Sequence, residues 1–178
     1  FWGGACRLRA EAAEVGEGGE ASCGAGCFWG VQASFDAMEG VLETEVGYQG
    51  GRTERPSYEE VCSDSTGHAE VVRVVYDPSV VGFEGLLDAF FRLHDPTQKD
   101  RQGPDVGSQY RSAVFVGSDE ERAIVERKIG ELEASGAFGG REIVTTIEAG
   151  GRFWAAEDYH QKYLEKRGMK SCGVPGLG

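Results

Sequence analysis

The sequence contains no asparagine, and only three of its 178 residues are histidine: His68, His94 and His160. Basic residues are also few, because 18 lysines and arginines stand against 30 aspartates and glutamates, for a formal net charge of −12. This acidic balance argues against binding to nucleic acid or to an anionic membrane surface. No apolar run approaches the roughly 20 residues that a membrane-spanning helix needs.

The cysteines are few and irregularly spaced, at Cys6, Cys23, Cys27, Cys62 and Cys172. An odd number at such spacing is not the pattern of a secreted disulfide framework. There is no Cys-x-x-Cys pair and no cluster of histidine with cysteine, so no metal site is predicted. The 40% hydrophobic and 27% charged content is that of a globular chain long enough for one domain with a sizeable core.

Residues 24–30, with the sequence GAGCFWG, place one cysteine between small residues and two large aromatic residues. A short strand over residues 20–23 precedes this run. Apolar residues at helical spacing follow it and predict a helix over residues 27–38. Cys27 would then lie at a helix N-terminus, where unpaired N–H groups and the helix dipole stabilise a thiolate and lower the thiol pKa. Two interpretations stay open at this point: a nucleophile beside an apolar wall, or a buried structural thiol.

The rest of the chain alternates between single strands and helices. Strands are predicted over residues 41–48, 68–76, 110–116 and 142–147, and helices over 57–62, 83–94, 118–134 and within 154–166. A polar 13-residue segment, 97–109, is typical of a functional or disordered loop. Residues 1–19 are predicted to be a loosely ordered extension, 20–166 the folded domain, and 167–178 a glycine-rich tail carrying Cys172. The alternation favours an α+β or α/β fold with one mixed sheet.

Glu70 occupies an unusual position for a carboxylate. The predicted strand 68–76 is apolar on both faces, as in a central strand covered on both sides. Alternation puts His68, Glu70, Val72 and Val74 on one face. Glu70 is therefore either a buried functional acid or a salt-bridged structural carboxylate.

One candidate function is hydrolysis by a papain-like cysteine protease. Residues 23–29, CGAGCFW, superficially resemble the run around the papain-type nucleophile, and His160 follows Cys27 by a suitable distance. One extra glycine separates the two cysteines, however, and the chain has no asparagine to orient the histidine. An aspartate could replace it, so this interpretation is weakened but stays open.

A wider set of motifs resembles the A-type peptide methionine sulfoxide reductases, over about residues 21–173. The motifs occur in the family's order: GAGCFWG (24–30), GYQGG (47–51), YEEVC (58–62), TGHAEVVRV (66–74), YDP (76–78), HDPTQ (94–98), QYRS (109–112) and AEDYHQKYL (156–164). With this resemblance we predict a single-domain α+β fold, a two-layer α/β sandwich with a ferredoxin-like core. These enzymes repair oxidised methionine, with one enzyme type for each sulfoxide epimer.

The resemblance implies reduction of methionine-S-sulfoxide, free and in proteins, by a peptide-methionine (S)-S-oxide reductase. Such a reaction needs a thiolate, a proton donor and an apolar slot for the S-methyl group. By resemblance, Cys27 is the nucleophile and Glu70 the proton donor. The remaining roles that it implies are a methyl-binding wall of Phe28 and Trp29, an oxygen clamp of Tyr58 and Tyr110, and substrate contacts from Asp105. His68, two residues from Glu70, is a candidate for the border of the site, but a structural histidine is the favoured interpretation.

The resemblance also implies how the nucleophile is recycled. The sulfenic acid left on Cys27 would condense with a second thiol to a disulfide. That resolving thiol would be Cys172, and thioredoxin, or dithiothreitol in its place, would reduce the disulfide by exchange. Cys23 stands where the family usually has an apolar residue and is a second candidate for the resolving role, whereas Cys6 and Cys62 are interpreted as structural or incidental.

The remaining expectations concern cofactors, partners and location. No metal or organic cofactor is expected, and the partners expected are thioredoxin, oxidised proteins and free methionine sulfoxide, with no nucleic acid or membrane. We expect a monomer, located in the cytoplasm, or in a plastid or mitochondrion if residues 1–19 are the remnant of a transit peptide. A thiol-bearing module that only binds oxidised methionine is a further, non-enzymatic alternative.

Overall fold

The structure, a computed structural model, describes residues 19–169. The strands found there are β1 (Glu20–Ala25), β2 (Val41–Gln49), β3 (Ala69–Tyr76), β4 (Arg101–Gln102), β5 (Asp105–Val106), β6 (Ser112–Val116), β7 (Thr146–Ala149) and β8 (Trp154–Ala155). Six of them form one sheet in the order β7-β6-β1-β3-β2-β8, and β4 pairs with β5 as a separate hairpin. The sheet is mixed, because β6 and β7 run parallel while the other neighbouring pairs are antiparallel.

The helices are α1 (Phe28–Asp36), α2 (Tyr58–Cys62), α3 (Phe83–Arg92), α4 (Asp119–Ser135) and α5 (Tyr163–Lys166). The four central strands and the two helices that connect them follow the order β1-α1-β2-β3-α3-β6, with β1 and β3 at the centre of the sheet. This is the split βαβ arrangement of ferredoxin-like domains. The predicted fold class, an α+β domain with a mixed sheet and a ferredoxin-like core, is therefore confirmed. No helix within residues 19–169 is long and apolar enough to cross a bilayer.

The main hydrophobic core lies between the sheet and the helices. Phe28 and Phe35 of α1 and Phe90 of α3 pack there against Val72 and Val74 of β3. The opposite face of the sheet carries a smaller cluster, formed by Ala69, Val71, Ala113 and Phe115 with Phe153 packed on it. Both faces of strand β3 are therefore covered: helices pack on one face, and the segment around Phe153 covers part of the other. This explains why the strand is apolar on both faces.

Two helix starts follow their sequence signals. Ser57 and Glu60 form a reciprocal capping box at the beginning of α2, and the Ser118 hydroxyl accepts from the Glu121 N–H at the beginning of α4. The capping box fixes the beginning of α2 and so makes Tyr58 the first residue of that helix.

Four predicted segments differ from the structure. The strand predicted at 142–147 is β7, Thr146–Ala149, and the helix predicted within 154–166 is instead β8, a 3-10 turn over Asp158–His160 and the short α5. The polar segment 97–109 contains the β4–β5 hairpin, and Tyr110 belongs to a 3-10 turn, Ser108–Tyr110, rather than to a strand.

Tertiary contacts explain why residues 154–162 do not form a helix. The Gln161 side chain accepts from the Val46 N–H at 3.0 Å and donates to the Val46 carbonyl at 2.9 Å, as a strand neighbour would. Lys162 adopts a left-handed conformation with φ 55°. These contacts dock the segment on β2 and override its local helical pattern.

Candidate active site

Cys27 lies at the strand-to-helix turn that the sequence predicts. Strand β1 ends at Ala25, and Cys27 is the N-cap residue of α1 and is partly exposed. The turn requires glycine, because Gly26 has φ +90° and a Cβ there would lie 2.8 Å from the Gln102 side chain. A Cβ on Gly24 would lie 2.9 Å from the Glu70 carbonyl oxygen. The glycines thus let the turn pass closely between β3 and the β4–β5 hairpin.

The Glu70 carboxyl is buried directly behind this turn. Its side chain is 1% exposed, and its Oε1 accepts from the Phe28 N–H at 3.2 Å. The second oxygen, Oε2, has no hydrogen-bond partner among residues 19–169. Burial raises the pKa of Glu70 to about 8; the Phe28 hydrogen bond opposes this shift and the charge of Asp105 adds to it. At neutral pH the group is therefore largely a neutral acid next to the residue that follows Cys27.

Two tyrosine hydroxyls face the same region. Tyr58 packs over Phe28, with ring centroids 6.5 Å apart and an interplanar angle of 17°. Burial raises the pKa of Tyr58 and Tyr110 above the ordinary range, and in both cases the negative charge of Glu70 adds to the rise. The pKa of Tyr110 is raised further by the charges of Cys62, Asp105 and Cys27. Both hydroxyls are hence protonated donors, and Tyr110 lies among the groups predicted to perform the chemistry.

Asp105 and Cys62 complete the edge of the site. Asp105 begins β5 on the hairpin next to Gly26, and burial raises the pKa of its carboxyl. Cys62 ends α2 four residues after Tyr58, on the same helix face. Burial is the largest influence on the Cys62 thiol and raises its pKa, while hydrogen bonding to Tyr58 and Tyr110 opposes the rise. Cys62, interpreted from the sequence as structural or incidental, therefore borders the tyrosine pair.

An aromatic wall stands beside the cysteine. Phe28 is buried, and Trp29, which is partly buried, stacks on Tyr163 with ring centroids 3.7 Å apart. The Trp29 indole Nε1–H donates to Nδ1 of His160 at 3.0 Å, and the Arg167 guanidinium lies 3.6 Å above the Tyr163 ring. These contacts hold the indole in one orientation, which suits an apolar slot with a rigid side.

His160 does not provide the base that a papain-like hydrolase needs. Its Nδ1 accepts from Trp29, which places the ring proton on Nε2, and Nε2 has no hydrogen-bond partner among residues 19–169. Burial lowers the pKa of this imidazole, which keeps it neutral. The ring serves the aromatic wall rather than a thiolate–imidazole pair.

The remaining candidates from the sequence are His68, Cys23 and Cys172. Both ring nitrogens of His68 are engaged, since Nδ1 accepts from the Gly51 N–H at 3.0 Å and Nε2 lies 2.7 Å from the Thr53 carbonyl oxygen. His68 therefore anchors this loop and offers no ring nitrogen to a substrate. Cys23 is buried in the helix-covered core, where burial raises the pKa of its thiol to about 12. Cys172 lies outside the described residues.

Sequence reasoning assigned no role to two residues that shape the site. Glu157 accepts hydrogen bonds from Tyr48 and from the backbone of Tyr58. Tyr48, fully buried, lies directly opposite Glu70 in the β2–β3 register. Glu157 lies in the motif AEDYHQKYL (156–164), but nothing in its local pattern indicates which residues it contacts. Residues 19–169 contain no group of three or more His, Cys, Asp or Glu side chains suited to a metal ion.

Proteins of one known family match this chain over most of its length. The family model described as peptide methionine sulfoxide reductase matches residues 19–175. A relative from Methanothermobacter thermautotrophicus, peptide methionine sulfoxide reductase MsrA, is 55% identical over 153 residues, which cover 86% of this chain and 90% of the relative. A further MsrA, from Acidobacterium capsulatum, is 51% identical over 155 residues, 87% of this chain and 99% of the relative.

Solved structures agree with these sequence matches. Reduced Mxr1 from Saccharomyces cerevisiae superposes with a TM-score of 0.77 at 36% identity, covering 84% of this chain and 86% of Mxr1. Mxr1 in complex with Trx2 superposes with a TM-score of 0.56 at 26% identity, covering 82% and 84% of the two chains. By its sequence and its fold, this chain belongs to the peptide methionine sulfoxide reductase family.

Proposed function

We propose that this chain reduces methionine-S-sulfoxide, free and within proteins, to methionine, with thioredoxin as the reductant. The observation that carries the proposal is the neutral Glu70 carboxyl, buried behind the Cys27 turn with one oxygen uncommitted. A sulfoxide sulfur becomes electrophilic when its oxygen is protonated, so a thiol and a neutral acid side by side suit this substrate.

The first step forms a sulfenic acid on the enzyme. The Cys27 thiolate, stabilised at the N-terminus of α1, attacks the sulfoxide sulfur while Glu70 gives a proton to the sulfoxide oxygen. Tyr58 and Tyr110 donate hydrogen bonds to that oxygen, and Phe28 and Trp29 enclose the S-methyl group. The oxygen then moves to the Cys27 sulfur while the new sulfur–sulfur bond and the sulfur–oxygen bond of the substrate break, so that methionine leaves and Cys27 becomes Cys–SOH.

The second half of the cycle restores the thiol. Cys172 attacks the sulfenic sulfur, a disulfide forms between Cys172 and Cys27, and water leaves. Thioredoxin then reduces the disulfide by thiol–disulfide exchange, which supplies the two electrons of the overall reaction. The complex of Mxr1 with Trx2 supports this choice of reductant. Because thiols supply the electrons, the proposal includes no metal or organic cofactor.

The proposal is tested with dabsyl-methionine-S-sulfoxide and dithiothreitol, with the R-epimer as the substrate control. We expect the wild-type chain to convert the S-epimer and leave the R-epimer unchanged, and Cys27→Ser to show no turnover. No conversion of the S-epimer by the wild-type chain would refute the proposed activity. Turnover by the Cys27→Ser variant would refute only the assignment of the nucleophile.

A further inference from the structure

Glu157 connects three donors around the proposed oxygen clamp. Its Oε1 accepts from the Tyr48 hydroxyl at 3.1 Å, and its Oε2 accepts from the Tyr58 backbone N–H at 3.3 Å and from the Tyr159 hydroxyl at 3.2 Å. The three donors come from β2, from the first residue of α2 and from the 3-10 turn Asp158–His160. One carboxylate therefore connects three secondary-structure elements of the domain.

An ionised carboxylate can accept from all three partners at once. Each of the three partners can present a hydrogen to Glu157, and a carboxylate is the side chain that offers two oxygens as acceptors and no donor. Burial raises the pKa of Glu157, but the hydrogen bonds from its own backbone, from Tyr48, from Tyr58 and from Tyr159 outweigh it, so the pKa is lowered. An amide of the same shape has a single acceptor oxygen, so its NH₂ group would make one of the tyrosine hydroxyls accept a hydrogen bond instead of donating one.

The hydrogen bond from the Tyr58 N–H to Glu157 helps to determine the direction of the Tyr58 hydroxyl. Tyr58 is the first residue of a five-residue helix, so its N–H has no partner within the helix. The Tyr58 ring packs against Phe28, at 6.5 Å, and against His160, at 4.3 Å between centroids, and these two rings also contact each other at 5.3 Å. These neighbours confine the Tyr58 ring and Glu157 holds the Tyr58 backbone. Together they restrict the direction of the Tyr58 hydroxyl.

We propose that Glu157 is a positioning residue: it holds Tyr58 where its hydroxyl meets the sulfoxide oxygen, and it does not itself touch the substrate. The inference rests on the proposed role of Tyr58 in binding that oxygen. It predicts that the charge and acceptor oxygens of Glu157 matter for the chemical step, through Tyr58, and not for binding the S-methyl group.

The test is a double-mutant cycle between Glu157→Gln and Tyr58→Phe, read as the single-turnover rate of dabsyl-methionine formation from dabsyl-methionine-S-sulfoxide. The matched control is Glu59→Gln. Glu59 is an exposed carboxylate that also lies near Tyr159, and among residues 19–169 its side chain takes part in no hydrogen bond or ion pair. This control removes the same charge from the same neighbourhood without disturbing Tyr48 or Tyr58.

We expect Glu157→Gln to slow the single-turnover rate by about tenfold with little change in KM, since a small displacement of a reacting group is enough for such a loss. In the Tyr58→Phe background the same substitution should slow the rate by less than about twofold, and Glu59→Gln should have no larger effect. Equal losses in both backgrounds would overturn the inference, and so would equal rates for Glu157→Gln and Glu59→Gln.

Two outcomes separate this inference from the proposed function. If Tyr58→Phe retains the wild-type rate, the proposed role of Tyr58 fails and the inference falls with it. If Tyr58→Phe slows the reaction but Glu157→Gln does not, only the inference fails. Should Glu157→Gln not fold, Glu157→Asp retains the charge but withdraws the carboxylate from Tyr58. Its loss of rate must likewise disappear in the Tyr58→Phe background.

Discussion

The Phe28 backbone N–H donates to Oε1 of Glu70 at 3.2 Å, across 42 residues of sequence. This hydrogen bond joins the first turn of α1, which follows Cys27, to the central strand β3. It occupies one carboxyl oxygen and leaves the other without a partner among residues 19–169. A hydrogen bond from the backbone of α1 therefore helps to fix the proton donor relative to the turn that carries the proposed nucleophile.

The pH dependence of the chemical step tests the role of Glu70. Its pKa is raised to about 8, so the acid form is present below this pH and is lost as the pH rises through it. We expect the single-turnover rate to fall on the alkaline side near pH 8, and Glu70→Gln to slow the reaction by roughly 10²- to 10⁴-fold.

The pH–rate profile of Asp105→Asn, compared with that of the wild type, tests the same assignment of Glu70. The charge of Asp105 contributes to the raised pKa of Glu70, so its removal should move the alkaline limb to lower pH. The position of the limb is the measurement, because Asp105 is also proposed to contact the substrate. An alkaline limb that stays in place in Asp105→Asn and persists in Glu70→Gln would show that another group titrates there.

Burying Glu70 should also make the fold less stable at alkaline pH. The carboxyl pKa rises from 4.5 to about 8 on folding, so between these values the unfolded chain loses a proton that the folded chain keeps. Stability that is present below pH 4.5 is lost across this interval, by at most about 5 kcal/mol. We expect urea unfolding to find Glu70→Gln more stable than the wild type at pH 9, with the difference shrinking toward pH 5. Parallel stability curves for the two proteins would contradict this.

Much of the site follows from local rules. Periodicity places Cys27 at the beginning of a helix, alternation along β3 turns Glu70 toward the helix-covered face, and the Ser57–Glu60 capping box locates Tyr58. His68 shows where such a rule stops applying. Alternation groups it with Glu70, but Gly67 has φ +78° and β3 begins at Ala69, so His68 precedes the strand and its ring turns to the 51–53 loop.

The remaining parts of the site depend on tertiary contacts that have no local signal. Glu157 and His160 reach the site because the Gln161 side chain pairs with the backbone of Val46 on β2, 115 residues away. Residues 154–166 read by themselves resemble a helix, and a helix there would break this pairing. Tyr110 likewise lies in a 3-10 turn, close enough to Glu70 for the charge of Glu70 to raise the Tyr110 pKa. Alternation along a strand does not predict the direction of a side chain in such a turn.

The two candidates for the resolving thiol can be separated. Cys23 is 7% exposed and packs in the core with Phe35 and Phe90, and burial raises the pKa of its thiol to about 12. A buried neutral thiol is a poor nucleophile. We therefore expect Cys23→Ala to retain thioredoxin-driven turnover, at a loss in unfolding free energy of about 1 kcal/mol.

Cys172→Ser should behave in the opposite way, completing one turnover and then failing to cycle with thioredoxin. Cycling is measured by NADPH consumption in the presence of thioredoxin and its reductase, and the single turnover by methionine released without reductant. If Cys172→Ser still cycles, the double variant with Cys23→Ala shows whether Cys23 is responsible. Cys62→Ser is the further comparison, because Cys62 borders the tyrosine pair.

Gly26 should be the least replaceable residue of the turn that presents Cys27. An alanine there must adopt φ +90° and place its Cβ 2.8 Å from the Gln102 side chain, on the hairpin that carries Asp105. Gly103→Ala is the matched control, since Gly103 also has positive φ, +58°, but a Cβ there meets nothing within 4 Å. We expect Gly103→Ala to lower the unfolding free energy by about 1 kcal/mol, and Gly26→Ala by at least roughly twice as much. Gly26→Ala alone should also slow the single turnover, because the turn and the hairpin must move apart. Equal effects of the two substitutions on stability and rate would mean that only the backbone conformation matters at Gly26, and not its close approach to Gln102.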